Sequence, residues 1–259
     1  MPDSLRLALI QPDTAWENPE ANIKKADRML SGAAESGATV AAFPEMFTTG
    51  FSMKAHAIKG AEALDSLSSL ASKHNINLLA GVASASGLQG LNKALAYDNS
   101  GSLVADYSKM HPFSFADEDK HYSPGPGTAV FKLAGVASSV FICYDLRFPE
   151  VFRSVARQVK VIYVLANWPA SRHDHWHALL KARAIENQCF VAGVNRTGAD
   201  GEGIAYAGGS CVYGPFGEEV FLADESEGVY IVDLDISLAD STRSRYPFLK
   251  DMRADGFSI

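Results

Sequence analysis

The chain has 259 residues, 47% of them apolar and 20% charged, with a net charge of −7. That length suits one large α/β unit and a core that needs no disulfide staples. The acidic balance, with no Lys/Arg cluster, excludes a nucleic-acid footprint, and no apolar run nears the roughly 18–20 residues of a membrane-spanning helix.

The amino terminus, MPDSLRLALIQPD, holds Asp3, a short apolar run and Pro12. This is not the pattern of a signal peptide. Residues 5–10 read as a short apolar strand. Asn18-Pro19-Glu20 opens a helix, with Asn18 as cap and Pro19 at the first helical position. Ile23, Ala26, Leu30 and Ala33 recur at helical spacing until Gly37. A buried-type strand follows over 39–43. Leu64, Leu67 and Leu70 mark a second helix ending near Asn75, and 78–82 is the next strand.

The middle reads as all-β. Strands over 93–97 and 103–107 flank the turn signal Asn99-Ser100-Gly101. Strands over 129–133 and 137–142 pair next. Alternation then resumes: helix 149–157, strand 161–165, helix 175–187, strand 189–194. Two short strands surround Gly214-Pro215-Phe216-Gly217, and 228–234 is the last clear strand. About twelve strands and four or five helices are too many strands for one sheet covered on both sides. Two sheets face to face with helices outside bury every apolar face. The reading is α/β, one domain over 1–259, layered α-β-β-α.

Three apolar strands end abruptly on a reactive residue: VAAFPE on Glu45, VADYSK on Lys109, and VFIC on Cys143. Ligands gather at strand carboxyl ends in α/β proteins. A thiol is a poor nucleophile until it loses its proton. Lys109 favours the thiolate, whereas Glu45 can accept the proton directly. Attack on an amide carbon puts charge on the carbonyl oxygen, which Lys109 and the backbone N–H of Tyr144 can hold. Glu45 then returns the proton to the departing nitrogen. The scheme calls for no metal or organic cofactor.

FPEMF, YSKMHPF and FICYDLRFPEVFR resemble the Glu, Lys and Cys signatures of the nitrilase superfamily, the carbon–nitrogen hydrolases. LALIQPD, ANWP and KARAIENQ match as well, so the resemblance covers roughly residues 4 to 247. It implies a four-layer α-β-β-α sandwich of the nitrilase type, and association into homodimers or larger assemblies. It places the triad on Glu45, Lys109 and Cys143. A second acidic residue after the lysine often supports such a site; Glu118 is the candidate, with Asp117 and Asp119 flanking it. KMHPFSFADEDKHYSPG and ANWPASRHDHW are similar to the ω-amidase branch, which acts on short dicarboxylic monoamides such as 2-oxoglutaramate and 2-oxosuccinamate. Such a substrate needs a cation for its distal carboxylate. Arg172 is the candidate clamp, with Trp168 and Phe113 as pocket walls.

Other features read more plainly. Cys189 and Cys211 are small buried hydrophobes. Three cysteines without close pairing suit free thiols in a reducing cytoplasm. Asp145, Arg147 and Glu150 read as salt-bridged groups that fix the turn around Cys143. His173 and His177 share a helical face with His175 off it, but no HExxH pattern accompanies them, so a polar helix start outweighs a metal site. His111 and His121 either shape the pocket mouth or satisfy loop hydrogen bonds. The Gly208-Gly209 and Gly201-Glu202-Gly203 segments lack the Lys and following helix of a phosphate loop. The same triad also suits deaminated glutathione, an N-carbamoyl amine or a nitrile. A non-catalytic binding module predicts loss of a triad residue, and a redox sensor through Cys143 needs a resolving cysteine.

Overall fold

A computed structural model of the protein describes residues 3–54 and 60–253. The expected unit over 1–259 therefore includes residues that lie outside the described set. Along the chain, β1 (Ser4–Gln11), α1 (Pro19–Glu35), β2 (Val40–Ala42), α2 (Gly60–His74), β3 (Asn77–Ser86), β4 (Gln89–Tyr97) and β5 (Leu103–Ser108) come first. Next are α3 (Glu118–His121), β6 (Val130–Leu133), β7 (Val136–Ile142), α4 (Pro149–Val155), β8 (Val161–Ala166), α5 (His173–Asn187) and β9 (Phe190–Asn195). The rest is β10 (Thr197–Ala199), β11 (Ala205–Ala207), β12 (Cys211–Tyr213), β13 (Glu219–Leu222), β14 (Gly228–Asp235) and α6 (Ser237–Arg245).

Two six-stranded sheets form, ordered β14-β1-β2-β3-β4-β5 and β13-β12-β9-β8-β7-β6. Strand alternation explains how they stack. Leu5, Leu7 and Leu9 of β1 join the apolar cluster that contains Val140, Ile142 and Val164 of the second sheet. Their neighbours Ala8 and Ile10 point the other way, into a cluster with Ala26 and Leu30 of α1 and Leu67 and Leu70 of α2. Trp176, Leu180 and Ala184 of α5 cover the outer face of the second sheet. The order is helices, sheet, sheet, helices, the expected α-β-β-α sandwich of the nitrilase type. The chain starts α1 as read: Asn18 Oδ1 accepts from the N–H of Ala21 at 3.1 Å, and Pro19 is the first helical residue.

The middle is not all-β. A 3-10 turn at Ser114–Ala116 and the short α3 interrupt it. The hairpin β10–β11 and helix α6 have no counterpart in the sequence reading. Three-residue strands show no resolvable alternation, and SLADSTRSR in α6 buries only Ala239. Cys189 precedes β9 rather than lying in it, yet it is fully buried, as is Cys211.

Candidate active site

The strand ends that carry Glu45 and Lys109 belong to the first sheet, and those that carry Cys143 and Asn167 to the second. Face-to-face packing brings them together. Glu45 follows β2, where Gly81 of β3 lets the chain pass close: a Cβ at position 81 would stand 2.5 Å from Glu45 Cα. Lys109 follows β5. Its Nζ donates to Glu45 Oε1 at 2.9 Å and to Glu118 Oε2 at 2.8 Å. Glu118 is buried in α3, whereas Asp117 and Asp119 on either side of it are exposed.

Two asparagines complete the network. Asn92 Nδ2 donates to Glu45 Oε1 at 2.7 Å and to Glu118 Oε1 at 2.8 Å. The backbone N–H of Asn167 donates to Glu45 Oε2 at 2.9 Å, and its side chain donates to the Glu45 carbonyl at 2.8 Å. Sequence reasoning assigned neither a role. An asparagine at a strand end was the signal for Asn167; nothing in the sequence distinguished Asn92 or Gly81.

Cys143 begins a 3-10 turn, Cys143–Arg147, with φ at +44°. Non-glycine residues seldom occupy that region, and nucleophiles held there are presented at a sharp turn. Asp145 braces the turn. Fully buried, its carboxylate accepts from Ile142 N at 3.0 Å, Tyr107 OH at 2.7 Å and His111 N at 2.9 Å, and pairs with the His111 ring at 2.8 Å. Tyr144 is the second residue of the turn, where a backbone N–H lacks a partner within it.

Burial pushes the Cys143 thiol well above its ordinary range, and the carboxylates of Glu45 and Glu118 add to this against the pull of Lys109. The physical picture is direct: two carboxylates already surround one ammonium, and a thiolate would add a third anion. The thiol is therefore neutral at rest. Burial also raises Glu45, but the Lys109 ammonium and the donors of Lys109, Asn167 and Asn92 outweigh it and lower the carboxyl. Glu118 comes out raised, by burial and by Glu45, despite Lys109.

Cys143 and Lys109 line a cavity of about 340 Å³, with Phe113, Tyr144, Trp168 and Arg172 also on its walls. The Phe113 and Tyr144 rings lie 4.8 Å apart, and the Arg172 guanidinium sits 5.7 Å from the Phe113 centroid. The structure thus gathers all the sequence-predicted site residues except Glu45 and Glu118 on the cavity wall, and those two lie directly behind Lys109.

Arg147 and Glu150 depart from expectation. Arg147 lines the cavity and lies over the Trp168 ring at 5.1 Å, and Glu150 is exposed in the first turn of α4. Of the three residues expected to fix the elbow, only Asp145 does so. His173 and His177 stand with Nε2 atoms 3.3 Å apart at the start of α5, and no group of three or more metal-ligating side chains occurs among the described residues.

A family model described as carbon-nitrogen hydrolase matches residues 6–244. The chain belongs to the carbon–nitrogen hydrolase family. It is accordingly a hydrolase of carbon–nitrogen bonds. It is 38% identical over 257 residues to the omega-amidase YafV of Escherichia coli, covering 98% of each chain. It is 34% identical over 255 residues to the 2-oxoglutaramate amidase of Bacillus subtilis, covering 96% of this chain and 98% of the other. Among solved structures, a CN-hydrolase superfamily protein of Xanthomonas campestris with an arsenic adduct in its active site matches with a TM-score of 0.91 and 31% identity, covering 99% of both chains. Among the described residues, no helix is long and apolar enough to cross a membrane.

Proposed function

We propose that this carbon–nitrogen hydrolase is a thiol amidohydrolase of the ω-amidase type. It removes the terminal amide of short dicarboxylic monoamides, such as 2-oxoglutaramate or 2-oxosuccinamate, and releases ammonia. The observation that carries the reading is the buried Glu45–Lys109–Glu118 network set behind a neutral Cys143 thiol on the cavity wall. The names of the two sequence relatives supply the substrate class.

The chemistry follows from the charges. Cys143 Sγ attacks the amide carbon while Glu45 takes the thiol proton. That transfer leaves the number of anions around Lys109 unchanged, because the new negative charge sits on the carbonyl oxygen. Lys109 and the Tyr144 N–H hold that oxygen. The C–N bond breaks as Glu45 returns its proton to the nitrogen, and ammonia leaves a thioester behind. Glu45 then deprotonates a water that attacks the thioester. Collapse releases the acid, and the thiol recovers its proton from Glu45. Glu118 and Asn92 hold Lys109 and Glu45 in register throughout. Arg172 takes the distal carboxylate, with Phe113 and Trp168 as walls. We assign 1–259 as one catalytic domain, acting in the cytoplasm as a homodimer or larger homo-oligomer.

The test is ammonia release from 2-oxoglutaramate and 2-oxosuccinamate, with nitriles and N-carbamoyl amines in parallel, for wild type and Cys143→Ala. Turnover of the oxo-amides that is lost in the variant supports the reading. Turnover of a nitrile or carbamoyl compound alone overturns the substrate, and turnover that survives in Cys143→Ala overturns the thiol mechanism.

A further inference from the structure

The start of α5 holds two imidazoles that amide hydrolysis does not use. His173 is the first residue of α5, and His177 lies one turn further on. Neither lines the cavity, and both are half-buried. Residues at i and i+4 share a helix face, and two histidines at that spacing can chelate one ion.

The two side chains are already placed for this. Their Nε2 atoms stand 3.3 Å apart. Two imidazole nitrogens bound at about 2.0–2.1 Å to one tetrahedral ion stand about 3.3–3.4 Å from each other. The same separation is longer than the usual N–H hydrogen bond. The far side of one ring is also held: His177 Nδ1 lies 3.3 Å from Tyr213 OH. With its proton on Nδ1, His177 donates to the Tyr213 oxygen and keeps the Nε2 lone pair free. Metal-bound histidines are commonly oriented by such a partner.

Gly209 leaves the room. Its φ of +70° already favours glycine, and the missing side chain has a second consequence. A Cβ there would stand 2.3 Å from His173 Nε2 and 3.0 Å from His177 Nε2, in the space beside both nitrogens. Trp176 Nε1 fixes the segment by donating to the Gly209 carbonyl at 2.9 Å. The positive end of α5 works against a cation here, and Asp174 in the same first turn works for one. Among the described residues, no third protein ligand joins the pair, so water would complete the coordination.

We propose that His173 and His177 form a binding site for a divalent first-row transition metal such as Ni²⁺, Cu²⁺ or Zn²⁺, with Tyr213 orienting His177. The ion takes no part in hydrolysis. It ties the first residue of α5 to the next turn, and so braces the helix start that directly follows Arg172 of the cavity wall.

The experiment is a calorimetric titration of Ni²⁺ into untagged protein at about pH 7.5, where free imidazoles are mostly neutral. Cys143→Ala is the parent, so that the thiol does not compete for the metal. One equivalent is expected to bind, and Mn²⁺ is expected to bind less tightly than Ni²⁺. Changing a partner behind a metal ligand costs about 10- to 100-fold in affinity. Tyr213→Phe is therefore expected to weaken binding by about 10-fold, and His173→Gln or His177→Gln by about 100-fold or more. Thermal melts show that each variant is folded, and saturating Ni²⁺ is expected to raise the Tm of the parent but not of the histidine variants. One equivalent bound with unchanged affinity in His173→Gln and His177→Gln overturns the proposal. So does a parent that binds no Ni²⁺ at millimolar concentration.

Discussion

At the residue scale, the thiol of Cys143 sets the terms of the chemistry. Its proton is held by burial and by the Glu45 carboxylate, and in the proposed mechanism that same carboxylate removes the proton at the moment of attack. These two effects separate in Glu45→Gln. Loss of the base is expected to lower kcat by about 10²–10⁴-fold. Loss of its charge is expected to move the thiol titration to lower pH. Free cysteine ionises near 8.5, and wild-type Cys143 is expected to ionise well above that. Ultraviolet thiolate absorbance, taken as the difference from Cys143→Ala, reads the shift. Burial pushes Cys189 up to about 12 and raises Cys211 as well, so neither obscures the signal. A titration that stays in place or moves upward would remove Glu45 as the cause. The sequence pointed to Glu45, Lys109 and Cys143 because each stands just past a strand end, and the structure brings the three strand ends together. It could not separate Glu118 from its acidic neighbours, since four residues of α3 carry too little periodicity to say which faces inward. Arg147 was misread for a related reason: local sequence puts it beside Asp145, and only the folded turn aims it at Trp168.

At the element scale, what mattered was how closely backbones approach. The βαβ alternation and the sheet pairing were legible because β8, and β9 up to its last residue, carry no charged or amide side chain and α1 carries its own cap and stop. The approach of β3 to the Glu45 segment was not, because Gly81 in AGVAS looks like an ordinary strand glycine. In the structure, a Cβ there would meet Glu45 Cα and Pro44 O, both at 2.5 Å, and Met46 N at 2.9 Å. These are backbone atoms and cannot swing aside. Gly81→Ala is expected to destabilise the fold by about 1–3 kcal/mol, as overpacking does. It is also expected to lower kcat by as much as about 100-fold, because it displaces Glu45, the proposed base. Gly32 of α1 is the control. A Cβ at that site meets nothing within 4 Å, so Gly32→Ala is expected to gain up to about 1 kcal/mol from helix propensity with kcat unaltered. Thermal melts and initial rates on the two variants check the contrast. Equal effects would mean that glycine flexibility, rather than clearance at Glu45, is what position 81 supplies.

At the scale of the whole molecule, the site is also a clasp between the two sheets. Glu45 comes from the first sheet and accepts from Asn167 of the second, so the charge state of one carboxyl bears on how the layers hold together. Glu45 is lowered in the folded protein, so below its unfolded value near 4.3 the unfolded chain binds more protons. Its contribution to stability is therefore present above that value and is lost as pH falls through the lower folded value. Glu118 is raised, so the folded state binds the extra proton, and its term weakens stability as pH rises from the unfolded value through the folded one. The two carboxylates pull the pH dependence in opposite directions. Unfolding free energies from urea titrations between about pH 3 and pH 7 are expected to show this. Glu45→Gln flattens the acid-side loss, even though its overall stability is lower for want of the ion pair with Lys109. Glu118→Gln removes the decline toward neutrality and leaves the acid-side loss in place. If both variants keep the wild-type slope, the titration that governs acid stability lies outside this cluster, and the clasp holds through Asn167 and apolar packing rather than through charge.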